Sequence, residues 1–160
     1  PARMGAGGAG VAGQVCHEPA HLIDLMATCV DLAGADYPAS VNGEPIPPLE
    51  GRSLVPLFTA PARPLLPEPR PLFWEHEGNK AMRLGRWKLV SKFKQAWELY
   101  DLEADRTELH DLAAVQPERV RTMAAAWQAW ADRVGVEPWT HDIPEGGWGS
   151  PKSIQPRARP

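Results

Sequence analysis

Between Phe73 and Ala113 the chain reads FWEHEGNKAMRLGRWKLVSKFKQAWELYDLEADRTELHDLA. Four short strand patterns follow one another in and beside this stretch, parted by turn residues at hairpin spacing. The first is Pro71 to His76. The next two, Ala81 to Leu84 and Trp87 to Lys92, flank Gly85-Arg86, where glycine suits a position of positive φ. Trp97 to Tyr100 is the fourth. Alternation in RWKLVSK places Trp87, Leu89 and Ser91 on one face and Lys88, Val90 and Lys92 on the other. The pattern predicts a small antiparallel meander with one buried face.

Downstream, residues 107–134 read as helical. A short piece is expected over Glu108 to Val115. A long helix then begins at Pro117, a residue suited to a first turn because its missing N–H is not needed there. Val120, Met123, Ala124, Trp127, Trp130, Ala131 and Val134 form one apolar stripe, and Gly135 stops the helix. This stripe is the expected lid on the sheet. The fold class that follows is α+β, a small antiparallel β-sheet packed by a long C-terminal helix.

Upstream, AHLIDLMATCVDLA at residues 20–33 predicts a helix with Leu22, Ile23, Met26, Cys29, Val30 and Ala33 on one stripe and Gly34 as its stop. Leu25 and Leu32 lie off that stripe, so the helix calls for burial on more than one side. Residues 35–70 are dense in proline, which argues against regular ladders and leaves a short helical turn over Ser53 to Phe58. The chain thus divides into a Gly/Ala-rich segment at 1–19, a helix with a Pro-rich loop at 20–70, the sheet-and-helix unit at 71–136 and an extended tail at 137–160.

Bulk composition narrows the function classes. A length of 160 residues with 43% hydrophobic content fits one domain or a piece of a larger one. A net charge of −3 gives no basic stripe for nucleic acid. No apolar run reaches the ~18 residues needed to cross a bilayer. The chain does not start with Met, so an export signal on a longer parent would not be visible, and the compartment stays open. Cys29 falls on the apolar helix face, where a buried free thiol is the common state, and a disulfide with Cys16 is not expected.

Several motifs carry chemistry. His17-Glu18-Pro19-Ala20-His21 matches H-E-x-x-H, a zinc-hydrolase pattern that needs both imidazoles on one unbroken helix. Pro19 sits inside the five residues and displaces Glu18 from helical geometry, so His17 belongs to a loop and His21 to an early helical turn. Trp74, Glu75, His76, Glu77, Gly78 and Asn79 crowd one strand end, where an imidazole and an amide could line a pocket, or simply form a strand end with a hydrogen-bonded His and a solvated Glu pair. The basic run Arg83, Arg86, Lys88, Lys92 and Lys94 could hold an anion, but a half-exposed sheet gives the same pattern. Asp101, Glu103, Asp105 and Glu108 lack the spacing of a calcium loop. GAGGAG at Gly5 to Gly10 follows no strand and is not a phosphate loop.

From His21 to about Trp139 the chain resembles a bacterial arylsulfatase, in order and without large gaps. HLIDLMATCVDLAGADYP is similar to that family's helix after the central sheet, and PLEGRSLVPLF to the loop that follows it. LFWEHEGNKAMRLGRWKLV and WELYDLEADRTELHDLA resemble its C-terminal sheet and connector, and PERVRTMAAAWQAWADRVGV its last helix. The resemblance implies the C-terminal subdomain of an alkaline-phosphatase-like α/β fold, in an enzyme that hydrolyses sulfate esters. It also implies a calcium ion and a formylglycine nucleophile in the complete enzyme, the latter made from Cys or Ser in C/S-x-P-x-R. No window here fits that motif: Cys16 opens CHEPA, Cys29 CVDLA, Ser40 SVNGE and Ser53 SLVPL. The implied partners are the N-terminal catalytic half and a small sulfate-ester substrate. The chain alone is expected to be inactive, with His76 and Asn79 as substrate-side contacts. A non-catalytic binding or subunit-like module is the alternative from another class, and a zinc hydrolase using His17 and His21 is the second.

Overall fold

A computed structural model describes residues 15–59 and 69–140. The chain divides into two compact units, with the boundary between Leu72 and Phe73.

The first strands, β1 (Ser40–Val41) and β2 (Glu44–Pro45), form a separate small hairpin, and the second unit is built on a four-stranded antiparallel sheet whose strands β3 to β6 pair in chain order. β3 runs Pro71–His76, β4 Asn79–Leu84, β5 Trp87–Ser91 and β6 Glu98–Asp101. β3 has the bounds its sequence predicts. β4 begins two residues earlier than expected, because the strand resumes directly after a two-residue turn. Met82 pairs with Leu89, and Leu89 with Leu99, across the middle of the sheet. These three side chains share the face that turns inward and are almost wholly buried.

Helix α3, Pro117–Val134, closes that face. Proline begins it and Gly135 ends it at φ 75, its N–H donating back to the Ala131 carbonyl. Met123, Trp127 and Ala131, at i, i+4 and i+8, form the buried ridge against Met82, Leu89 and Leu99. Val120, Ala124 and Trp130 lie at its flanks, whereas Val134 is exposed. Aromatic rings complete the packing. Phe73 stacks on Trp130 with centroids 5.1 Å apart, and Trp127 meets Trp97 and Trp130 edge-on at 6.0 and 5.9 Å. The Trp127 indole N–H also donates to the Trp74 carbonyl at 3.0 Å, tying helix to sheet.

No helix forms over Glu108 to Val115, contrary to the sequence expectation. Glu108 takes φ 58, which breaks a right-handed helix. The backbone there bonds to β6 instead: Leu112 N–H donates to the Leu99 carbonyl at 2.8 Å, and the Asp111 carboxylate accepts from Leu99 N–H at 2.9 Å. This segment covers the outer edge of β6, which would otherwise stand open for pairing.

The first unit holds α1, Asp24–Leu32, a hairpin of β1 (Ser40–Val41) with β2 (Glu44–Pro45), and α2, Val55–Thr59. The hairpin corrects the expectation that proline density forbids ladders over residues 35–70. Asn42-Gly43, both at positive φ, makes the turn. α1 starts later than residue 20 because Asp24 folds back to accept the His21 N–H at 2.7 Å. Its packed face is Asp24, Ala27 and Thr28, not the apolar stripe. The Asp24 carboxylate is wholly buried and accepts from Arg52 N–H at 2.8 Å and from the Arg70 guanidinium. Thr28 Oγ1 accepts from Leu54 N–H at 3.0 Å, and Ser53 donates to Asp31. Leu22, Leu25, Met26 and Leu32 face solvent, each more than half exposed. Cys29 is exposed and Cys16 buried, with no disulfide between them, so the thiol expected to be buried is the one that is not.

Candidate functional site

The end of the sheet that carries the β3–β4 turn also carries the β5–β6 connection, and the two are bonded together. Glu77 and Gly78 form the turn at φ 54 and 78, the pairing that fits a two-residue hairpin of right-handed twist. Glycine is required at 78 for a second reason. A Cβ there would press into the Phe93 ring, which belongs to the other connection. Glu75 accepts from Gly78 N–H at 2.7 Å across the turn.

His76 and Asn79 flank this turn. His76 is the last residue of β3, its side chain 82% exposed, with Nδ1 3.8 Å from a Glu77 carboxylate oxygen. Asn79 opens β4. Its Nδ2 donates to the His76 carbonyl at 2.9 Å and reaches the Glu77 carbonyl at 3.5 Å. Its Oδ1 accepts from Phe93 N–H at 3.1 Å. The structure thus joins the Asn79 side chain to the His76 backbone, while the imidazole stands clear. Phe93 has a part in this arrangement that the sequence does not announce, since its partner lies 14 residues away. Next to the turn, the Lys80 ammonium lies over the Trp127 ring at 4.9 Å and the Trp97 ring at 6.0 Å.

The charged residues beyond the turn are engaged in holding the sheet. Arg86 forks onto Asp101 and reaches Glu103 at 3.1 Å. That hydrogen bond, above all, holds the Asp101 carboxyl below its ordinary range despite the opposing effect of desolvation. Lys88 pairs with Glu108 at 2.5 Å, and Arg83 donates to the Gly85 carbonyl at 2.9 Å. Asp105 accepts from the N–H groups of His110 and Leu109, the first being the main reason its carboxyl is held low. Burial, reinforced by the bond to Glu98 at 2.9 Å, pushes the Tyr100 phenol up to about 12. Arg119 stacks over Trp87 at 4.1 Å. The basic run and the acidic series are therefore partnered largely by each other and by backbone.

His17 and His21 both precede α1, so no helix face aligns them. His21 Nδ1 accepts from Ile23 N–H at 3.3 Å. Among the described residues no group of three or more His, Cys, Asp or Glu is placed to hold a metal ion. The described residues thus offer no such group to a calcium ion. No helix among the described residues is long and apolar enough to cross a membrane.

No family profile matches the chain. An uncharacterized sulfatase of Schizosaccharomyces pombe (strain 972) is 28% identical over 120 residues, covering 72% of this chain and 22% of its own length. The crystal structure of Ps i-CgsB superposes with a TM-score of 0.56 at 26% identity, over 75% of this chain and 26% of that one. A second structure of that protein, in complex with k-i-k-neocarrahexaose, gives 0.57 at 25% identity over 77% and 27%. At the level of fold alone, BT4656, solved with its substrate D-glucosamine-2-N,6-O-disulfate, matches with a TM-score of 0.53 at 16% identity, over 74% and 25%.

The chain is therefore similar in sequence to a sulfatase and in fold to Ps i-CgsB. It spans about a quarter of the length of the proteins it matches, consistent with a C-terminal portion of such an enzyme.

Proposed function

We propose that this chain is the C-terminal part of an arylsulfatase-type sulfuric ester hydrolase, and that sulfate-ester hydrolysis belongs to the complete enzyme. The likeness that supports the reading is 28% identity to a sulfatase over 72% of this chain, with a fold shared with Ps i-CgsB over about three quarters of it. Nucleophile and cation come from the other part of the enzyme. When bound there, calcium polarises the sulfate oxygens as a Lewis acid. The residues of this chain supply wall and contact. His76, exposed at the turn, is the substrate-side contact, and Asn79 stands beside it.

The partner is the N-terminal catalytic half. The outward stripe of α1 is the surface that receives it, since Leu22, Leu25, Met26 and Leu32 gain burial only by meeting something beyond this chain's described residues. Two measurements test the proposal. The purified 160-residue chain is expected to release no 4-nitrophenol from 4-nitrophenyl sulfate beyond a buffer blank, and turnover would overturn the division of labour. Coding DNA upstream of Pro1 is expected to hold an in-frame C/S-x-P-x-R some hundreds of residues earlier. An unrelated sequence there would overturn the parentage.

A further inference from the structure

His76 and Asn79 form a pair in the sequence, but the structure gives them different work. A carboxamide offers two donor hydrogens and two acceptor lone pairs. Asn79 spends three of these four inside the protein, on the His76 and Glu77 carbonyls and on Phe93 N–H. To reach a ligand with its Nδ2, it would have to release the turn that it closes. The His76 imidazole makes no hydrogen bond within the described residues and is open to solvent. We infer that Asn79 is a positioning residue: its side chain locks the Glu77-Gly78 turn onto the β5–β6 connection and so fixes where the His76 imidazole stands.

Two further features make this lock directional. Glu75 holds Gly78 N–H from the opposite side of the turn, and the Phe93 ring packs against Gly78 itself. The turn is thus held at its carbonyls by Asn79, at its amide by Glu75 and at its back by Phe93. With Asn79 removed, two of these restraints remain, so the hairpin survives while its tip and the strand end at His76 loosen. The catalytic consequence rests on the sulfatase reading; the bonding does not.

The test uses the whole 160-residue chain, labelled for NMR, with Asn79→Ala, Asn79→Asp and His76→Ala. Asn79→Ala is expected to speed amide exchange at Phe93 about tenfold, the scale of one lost hydrogen bond, and to shift the His76 ring resonances. Amides at Met123 and Trp127 in α3 should keep their protection. Asn79→Asp keeps an acceptor for Phe93 N–H but has no donor for the turn, so Phe93 should stay protected while the His76 ring shifts. His76→Ala should leave Phe93 exchange unchanged, because Asn79 bonds the His76 backbone carbonyl and not its ring.

Unmoved His76 ring resonances in both Asn79 variants would overturn the inference. So would loss of protection throughout α3, which would make Asn79 a general stabiliser. In a complete homologous enzyme, a His76→Ala equivalent with unchanged KM and kcat would sink the sulfatase contact. It would leave the NMR result standing, so the two failures are separable.

Discussion

Trp127 is the residue on which the sheet-and-helix unit most depends. It is 2% exposed at the centre of the α3 ridge. Truncation to alanine in such a core costs about 3–5 kcal/mol, the lost transfer energy plus the cavity left behind. The Trp74 carbonyl also loses its indole donor, worth about 1 kcal/mol. The expected loss for Trp127→Ala is therefore about 4–6 kcal/mol, close to the whole stability of many small domains, ~5–15 kcal/mol. Trp127→Phe keeps a ring between Trp97 and Trp130 but removes the N–H, so about 1 kcal/mol is expected for that bond, with a further loss for the smaller ring. Urea unfolding followed by near-ultraviolet circular dichroism measures both. The variants should rank wild type, Phe, Ala, with the alanine form largely unfolded without denaturant. An alanine variant within about 1 kcal/mol of wild type would refute the assignment of the core to this ridge, since no core tryptophan is removed so cheaply.

Other outcomes follow from the same geometry. Gly78→Ala should cost at least about 1–2 kcal/mol for the left-handed backbone alone, with more from displacement of Phe93, read as a lowered Tm. Replacing Leu25 and Met26 with glutamine should change the stability of the isolated chain by less than about 0.5 kcal/mol each while reducing binding of a hydrophobic dye. Unchanged dye binding would remove the case for an exposed docking stripe. Burial pushes the Asp24 carboxyl upward, but the Arg52 and His21 N–H groups and the Arg70 guanidinium outweigh it and hold it below its ordinary 3.8. Its folded-state value is thus depressed, so its stabilisation is present above about 3.8 and is lost as pH falls below that through the folded value. Asn at position 24 should flatten this acid limb in a pH series of α1 amide exchange, and an unchanged limb would count against the carboxylate.

The parts legible in the sequence are those with a repeating period. Alternation over Trp87 to Ser91 and the stripe from Val120 to Ala131 report which side chains share a face, and Pro117 and Gly135 mark the helix ends chemically. What escaped depends on partners far along the chain. Residues 108–115 have helical composition, but the Leu99 carbonyl of β6 takes the Leu112 N–H and the Asp105 carboxylate takes those of Leu109 and His110. The inward face of α1 could not be found from hydrophobicity, because a carboxylate and a hydroxyl hold it. Asn42-Gly43 carried a hairpin signal that the surrounding prolines outweighed. At the candidate site, the strand-end cluster was visible as a cluster. The unequal roles within it depend on Phe93, which only folding brings near.

A helix with its greasy side outward and its carboxylate inward has a thermal signature. Heat-capacity change on melting scales with oily surface newly wetted, and polar surface subtracts from it. The buried contacts of α1 with Arg52, Leu54 and Arg70 are salt-like and hydroxyl-like, while its leucines are wet before melting begins. Melting of α1 should therefore add little to the baseline step that calorimetry records.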